Sequence, residues 1–259
     1  MRMSWQLGRV AGIDVFVHPT FLLIFLLPQV RDGGLPVLAT VLALFGCVLL
    51  HELGHALMAR RYGIATEDIT LYPIGGVARL NRIPRSPGAE LAIALAGPAV
   101  NFAIVAGLLG LDLLGLIGPW PGAAGALVGM NLMLGLFNLI PAFPMDGGRV
   151  LRALLSGWLG RLRATQVAAG LGRGLAVVFG LYGLSHGIWN WAFLAAFIYV
   201  VAGMELASVA AEEERSRYDG DDGDWKTPPG YRWVQQGQGA WRLAPIVITA
   251  RGGNRPRWD

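Results

Sequence analysis

Two histidines and a glutamate lie close together in one apolar stretch: His51, Glu52 and, four residues after the first, His55. On a helix, positions i and i+4 lie one turn apart on the same face, so both imidazoles can bind one zinc ion. Glu52 would then be angled to reach a water molecule on that metal. The spacing predicts a metal-activated hydrolase, whereas the alternative is a pair of histidines occupied by structural hydrogen bonds.

The composition is that of a membrane protein. Of the 259 residues, 54% are hydrophobic and 15% are charged, against roughly 25% charged residues in a typical soluble domain. The net charge of +4 is interpreted as membrane topology rather than as a nucleic-acid footprint, so we expect no nucleic-acid partner. Among the 21 basic residues only one is a lysine, which suggests a GC-rich, bacterial genome.

Six apolar runs predict an all-α polytopic membrane protein with about six transmembrane helices. A helix that crosses about 30 Å of hydrocarbon needs about 20 residues. The runs cover residues 18–30, which is short, and 36–60, 89–116, 123–145, 167–186 and 188–207.

Arginines collect after the second and fourth runs, as Arg60, Arg61 and Arg149 illustrate. Basic loops favour the cytosolic side. We therefore expect a multi-pass protein of the cell (inner) membrane with both termini in the cytosol.

This orientation limits the third metal ligand to the cytosolic half of the membrane. At 1.5 Å per residue, His55 lies roughly 7 to 8 Å from the boundary that Arg60 marks. Asp146 fits this depth best, because prolines and glycines interrupt its segment, and unwound backbone at membrane depth must line a cavity or be buried in protein. The alternative for Asp146 is a helix cap. Three other groups at this depth favour other roles: Glu90 and Glu205 as solvated interfacial charges, and His18 as a helix-start or hydrogen-bonding residue.

Three motifs together resemble the site-2 proteases, which are intramembrane zinc metalloproteases. They are His51-Glu52-Leu53-Gly54-His55, Pro144-Met145-Asp146-Gly147 and, between them, Gly97-Pro98-Ala99-Val100-Asn101. The resemblance covers residues 15–207 and the compact six-span prokaryotic layout. It implies one zinc ion on His51, His55 and Asp146, with Glu52 as general base. It also implies hydrolysis within the bilayer of a peptide bond in a transmembrane substrate protein.

Two further elements are candidates for contacts with such a substrate. Residues 69–80 indicate a strand, a turn at Gly75 and Gly76 and a second strand, too short to span and similar to a hairpin that dips into the membrane in relatives. Its edge can hold an unwound substrate by strand addition, or it can be a surface hairpin without a substrate role. Asn101 can donate to the developing oxyanion, or it can form a hydrogen bond between helices.

The expected domains are an N-terminal surface segment, residues 1–17, an intramembrane metalloprotease domain, residues 18–207, and an acidic linker with a short cytosolic tail, residues 208–259. We expect the first to form a hairpin and the linker to be flexible. Tyr231-Arg232-Trp233-Val234 and Ala240-Trp241-Arg242-Leu243 in the tail predict a second small hairpin.

Two other functions compete with the protease. Histidines and carboxylates inside a membrane also mark ion pathways, so a membrane metal-ion transporter is one alternative. Against it, the polar groups collect in the cytosolic half, without a matching set in the outer half. A catalytically silent binder of membrane segments is the other alternative, and Glu52 argues against it.

Overall fold

The computed structural model describes residues 4–26, 32–73, 75–81, 84, 86–116, 123–221, 231–236 and 240–245. The chain divides into two compact units, Met1–Ala210 and Ala211–Asp259. Most described residues are helical. The α-helices are α1 (Gly34–Arg61), α2 (Pro87–Leu113), α3 (Ala123–Asn138), α4 (Asp146–Leu159), α5 (Arg161–Ser185) and α6 (Trp189–Asp221). The strands are β1 (Trp5–Val10), β2 (Ile13–Val17), β3 (Thr66–Tyr72), β4 (Gly75–Leu80), β5 (Tyr231–Gln236) and β6 (Ala240–Pro245).

Four of the six predicted spans are helices long and apolar enough to cross a membrane: α1, α2, α5 and α6. In the first predicted span, residues 18–30, the described part contains a 3-10 helix of eight residues, Pro19–Leu26, about 16 Å long at 2.0 Å per residue. The fourth predicted span contains α3, whose 16 residues extend about 24 Å. Within the described residues, the structure therefore supports a membrane protein with four full-length candidate spans.

A four-stranded sheet in the order β1-β2-β3-β4 accompanies the helices, so the fold is not purely helical. The predicted N-terminal hairpin is present as β1 and β2, and β2 also pairs in parallel with β3. The predicted second hairpin is present as β3 and β4. Its turn differs from expectation, because Gly75 and Gly76 belong to β4, opposite Tyr72 and Leu71.

Helix boundaries follow local signals. At the start of α2, the side chain of Ser86 accepts a hydrogen bond from the backbone of Ala89 (3.2 Å), and Pro87 takes the first helical position. Two arginines occupy the last turn of α1, where positive charge stabilises the helix dipole. The inner face of the sheet packs on α1, with Ile69 of β3 against Leu53 and Ala56. The sheet is thereby fixed beside the helix that carries the histidines.

The C-terminal unit differs from expectation at its start. Helix α6 continues to Asp221 through Glu212, Glu213 and Glu214, so this part of the predicted flexible linker is helical. Between residues 207 and 219 there is no proline or glycine to stop the helix. The predicted tail hairpin is present, since β5 pairs antiparallel with β6. Residues 222–230 of the predicted linker lie outside the described residues.

Candidate metal centre

Two of the three predicted metal ligands come from α1. His51 and His55 are 4% and 5% exposed, one turn apart on the face that packs against α2. The two helices approach closely there, because a Cβ atom at Gly54 would lie 2.7 Å from the carbonyl oxygen of Ala96. On the α2 side, a Cβ atom at Gly97 would clash with Nε2 of both histidines. The absence of a side chain at Gly97 therefore makes room for both imidazoles.

The third predicted ligand reaches the site through the segment between α3 and α4. This segment is anchored on α5, since the backbone N–H of Phe143 donates to the carbonyl of Ala168 (3.2 Å). Phe143 itself is buried, at 1% exposure. Helix α4 begins directly afterwards with Asp146. The interrupted backbone that was predicted from prolines and glycines thus places a carboxylate opposite α1.

The three side chains converge on one point. Oδ2 of Asp146 lies 3.2 Å from Nε2 of His51 and 3.1 Å from Nε2 of His55. The two Nε2 atoms are 3.1 Å apart. Among the described residues, these three form the group whose ligand atoms lie within 4.8 Å of one another. Nitrogen and carboxylate oxygen ligands in this number leave one open position for water in a catalytic zinc site.

Hydrogen bonds on the far side of each ring set the direction of the ligand atoms. Nδ1 of His55 lies 2.7 Å from the carbonyl oxygen of Ile93, and Nδ1 of His51 lies 2.5 Å from Oδ1 of Asn101. A carbonyl only accepts, so each neutral ring carries its proton on Nδ1 and directs the Nε2 lone pair into the site. Two lone pairs and a carboxylate then face each other at about 3 Å without a donor between them. This donor set fits a divalent cation such as zinc.

A cavity of about 500 Å³ opens onto these ligands. Glu52 lines it on the same side as β4, and a Cβ atom at Gly76 would lie 2.6 Å from Cγ of Glu52. Gly75 lines the cavity as well, and Arg149 adds a positively charged side chain. Apolar residues of two helices also line the cavity: Leu44, Phe45 and Val48 from α1, and Leu134 and Phe137 from α3.

An ion pair anchors β4 to the rest of the sheet. Nε of Arg79 donates to Oδ1 of the buried Asp68 on β3 at 2.9 Å. This hydrogen bond raises the pKa of the Arg79 guanidinium. The strand beside Glu52 is thus attached to its neighbour by a charged side-chain contact as well as by backbone pairing. Its other edge has no partner strand among the described residues.

The remaining sequence candidates have other partners. Both ends of the Asn101 amide form hydrogen bonds between helices, as one of its two predicted roles required: Oδ1 to His51 and Nδ2 to Oδ1 of Asn131 (2.9 Å). Nδ1 of His18 lies 2.8 Å from Oγ1 of Thr20, at the start of the 3-10 helix. The hydrogen-bonding role expected for His18 is therefore confirmed.

The expectation for Glu90 was wrong. Its carboxylate is 4% exposed and pairs with the buried Arg152 of α4, whose Nε donates to it at 2.6 Å. Arg152 also donates to Glu205 of α6 at 2.8 Å, and Glu205 is partly exposed. Sequence reasoning missed this cluster because the partners lie 62 and 53 residues apart. It also missed Asn131, an amide in the middle of the apolar helix α3.

Comparisons with known proteins point to one family of peptidases. The model of peptidase family M50 matches residues 39–118 and 115–181. The chain is 39% identical over 224 residues to a zinc metalloprotease of Methanocaldococcus jannaschii, covering 83% of this chain and 63% of that protein. It is 37% identical over 241 residues to Rip3 of Mycobacterium tuberculosis, named as a candidate zinc metalloprotease, covering 82% of this chain and 61% of Rip3.

A solved structure gives the same result. The site-2 protease from Methanocaldococcus jannaschii superposes with a TM-score of 0.63 at 40% sequence identity, covering 78% of this chain and 95% of that one. The chain spans a little over six tenths of the length of the two curated relatives.

Proposed function

Because the chain belongs to peptidase family M50, we propose that it is a zinc-dependent intramembrane endopeptidase. Its substrate would be a protein with a transmembrane segment, cut at a peptide bond in or near that segment. The observation that carries this proposal is the convergence of His51, His55 and Asp146 on one point at the wall of a cavity that Glu52 also lines. Nothing in a simple ion-binding site requires an additional carboxylate at that wall.

In the proposed reaction, His51, His55 and Asp146 hold the zinc ion and Glu52 acts as general base. Bound there, zinc would acidify a water molecule and polarise the substrate carbonyl. Glu52 accepts a proton as the water oxygen bonds to the carbonyl carbon. When the carbon–nitrogen bond breaks, Glu52 returns the proton to the leaving amine. The neutral Nδ1–H forms of the histidines keep both Nε2 atoms available throughout.

The unpaired edge of β4 supports a role in holding the substrate. A transmembrane helix must unwind before one of its peptide bonds can be attacked, and an extended segment can then pair with a free strand edge. Gly75 and Gly76 lie on this strand and line the cavity, and Gly76 is in contact range of Glu52. A segment added along β4 would therefore run past the general base. Leu134 and Phe137 of α3 line the same cavity and offer apolar surface to its side chains.

The test of the proposal is Glu52→Gln. Glutamine keeps the size of the side chain and removes the base, so we expect zinc content to stay at about one per chain while cleavage falls at least ~100-fold. The substrate is a transmembrane segment with a helix-weakening glycine or asparagine, incubated in detergent and analysed by mass spectrometry. Glu67→Gln is the control, because Glu67 is an exposed residue of β3 away from the cavity.

Three outcomes would contradict the proposal. Equal cleavage by wild type and Glu52→Gln would remove Glu52 from the mechanism. Cleavage by neither protein, together with zinc flux into liposomes that depends on His51 and Asp146, would favour the metal-transporter alternative. Zinc binding and substrate binding without product from either protein would favour the catalytically silent binder.

We also propose that the metal centre lies in the cytosolic half of a cell membrane with both termini in the cytosol. The concentration of arginines at the ends of α1 and β4 and after the start of α4 supports this orientation. A cysteine introduced at Gly122 should react with an impermeant thiol reagent added to intact cells, whereas one introduced at Ser86 should react only after lysis. The opposite labelling pattern would place the site in the outer half. Replacing Cys47 by alanine beforehand removes the native thiol.

A further inference from the structure

A chain of hydrogen bonds leads from one metal-binding histidine to a helix that contributes no ligand. Nδ1 of His51 contacts Oδ1 of Asn101 on α2, and Nδ2 of Asn101 donates to Oδ1 of Asn131 on α3 at 2.9 Å. Nδ2 of Asn131 donates to the carbonyl of Leu127 at 2.8 Å and to Sγ of Cys47 at 3.2 Å. Asn101 and Asn131 are 0% and 1% exposed, so water does not compete for these bonds.

The carbonyl of Leu127, at the end of this series of hydrogen bonds, determines which atom donates in each of them. The carbonyl oxygen of Leu127 can only accept, so Nδ2 of Asn131 must face it and Oδ1 of Asn131 must face Asn101. Asn101 is then forced to present its own Nδ2 to Asn131 and its Oδ1 to His51. With an acceptor before it, His51 must donate from Nδ1. Reversing any one amide would leave two buried donors or two buried acceptors face to face.

The other histidine reaches the same state by a different route. His55 donates from Nδ1 to the backbone carbonyl of Ile93, an acceptor that no side-chain replacement removes and that cannot be flipped. Nδ1 of His51 instead faces the side-chain amide of Asn101, which can rotate by 180°. Asn101 alone would not be held in one orientation, but the pairing with Asn131 holds it. The two ligands therefore differ in how their protonation is secured.

We propose that Asn131, acting through Asn101, is a positioning residue that holds His51 in the Nδ1–H form, with the Nε2 lone pair directed at the metal. The proposal rests on the proposed function only in that the site binds zinc. Partners of this kind orient the ring and raise its basicity as a ligand. This series of hydrogen bonds, called the relay below, runs from His51 through Asn101 to Asn131. It also connects the metal ligand to α3, whose Leu134 and Phe137 form part of the cavity wall.

The test compares two replacements of similar size at Asn101 and adds one replacement at Asn131. Asn101→Leu removes the acceptor for His51, so zinc affinity should fall by about 10- to 100-fold. Asn101→Asp keeps an acceptor for His51 and, when protonated, a donor for Asn131, and should retain most of the affinity. Asn131→Leu leaves Asn101 free to rotate and should weaken zinc by about 2- to 10-fold, the equivalent of one hydrogen bond. Affinity is measured on the purified full chain in detergent by competition with a chromophoric zinc chelator.

Thr165→Val is the matched control, because Thr165 is fully buried and donates to the carbonyl of Arg161 four residues earlier, away from the metal centre. It should leave zinc affinity unchanged. The relay is overturned if folded Asn101→Leu or Asn131→Leu binds zinc as tightly as wild type, or if Asn101→Asp loses as much affinity as Asn101→Leu. If Asn101→Leu does not fold, Asn131→Leu decides alone. Wild-type protein that binds zinc but cleaves no peptide would refute the proposed function without affecting this comparison.

Discussion

Helix α4 takes part in two buried polar clusters that solve the problem of burying charge in opposite ways. Near its start, Asp146 meets His51 and His55, three groups that all offer lone pairs to the same point. Two turns later, Arg152 meets Glu90 and Glu205, so a guanidinium lies between carboxylates. The ring of Phe143 adds a face 4.9 Å from the guanidinium carbon. The second cluster contains its own cation, whereas the first requires one from outside.

On this one helix, one cluster has a structural role and the other can bind a metal ion. A buried charge is tolerated when it is paired and hydrogen-bonded, and Arg152 meets that condition by bonding to α2 and α6. It therefore fixes α4 against two candidate membrane spans. Asp146 faces the Nε2 atoms of two imidazoles whose Nδ1–H groups already donate to Asn101 and to the carbonyl of Ile93. The complete cluster, Arg152 with Glu90 and Glu205, positions α4. The incomplete cluster, Asp146 with His51 and His55, is where a metal ion can be held.

The largest effect should come from removing a member of the incomplete cluster. Asp146→Ala leaves two nitrogen ligands for zinc, so we expect zinc content to fall from about one per chain to near zero and cleavage to disappear. The fold should survive, because the lost side chain is replaced by a small apolar one next to α1. Metal analysis of the purified protein measures the first effect and mass spectrometry of a substrate segment the second. Full zinc content in Asp146→Ala, with loss in Glu90→Ala instead, would reverse the assignment of the two clusters.

The second effect concerns the complete cluster and should appear in stability rather than in metal content. Arg152→Leu removes the cation and leaves Glu90 buried without its partner, which typically costs about 3–5 kcal/mol. Unfolding in increasing denaturant, followed by tryptophan fluorescence in detergent, should show this loss. Zinc content measured under conditions where the variant is folded should remain near that of wild type. Arg152→Leu combined with Glu90→Leu should recover part of the stability, because the remaining carboxylate, Glu205, is partly exposed to solvent.

The sequence predicted the incomplete cluster better than the complete one. His51 and His55 follow from a spacing on one helix, and Asp146 from the depth of an interrupted segment, so both arguments are local. Arg152 and Glu90 have no such signal, since a charge near the end of an apolar run is usually solvated. Their pairing becomes visible only when α2 and α4 are packed together.

The same limit explains two features of the fold that local patterns did not reveal. The parallel pairing of β2 with β3 joins residues separated by the whole of α1. No local sequence pattern in either strand indicates such a pairing. Residues 18–30 predict a span because they are apolar, and the described part of this run, Pro19–Leu26, is a short 3-10 helix. Hydropathy identifies segments that avoid water, but it does not distinguish a membrane span from a short segment buried against protein.

The smallest of the three effects tests whether the ligand geometry depends on empty space beside it. A Cβ atom at Gly97 would clash with Nε2 of His51 and His55. These are the ends of side chains, so Gly97→Ala should displace the rings while α1 and α2 stay folded. We expect zinc affinity to fall by about 10- to 100-fold, the range found when the support of a metal ligand is disturbed. Competition with a zinc chelator measures the change.

Gly107→Ala is the matched control for this variant, because it adds the same methyl group to the same helix at a position with no atom within 4 Å. It should bind zinc like wild type, and its alanine should favour the helix slightly. A loss of zinc in Gly107→Ala equal to that in Gly97→Ala would assign the effect to α2 as a whole rather than to the space beside the ligands. Unchanged zinc affinity in both variants would mean that the two imidazoles can move aside without cost, and the close packing of α2 against the incomplete cluster would then have no part in holding the metal.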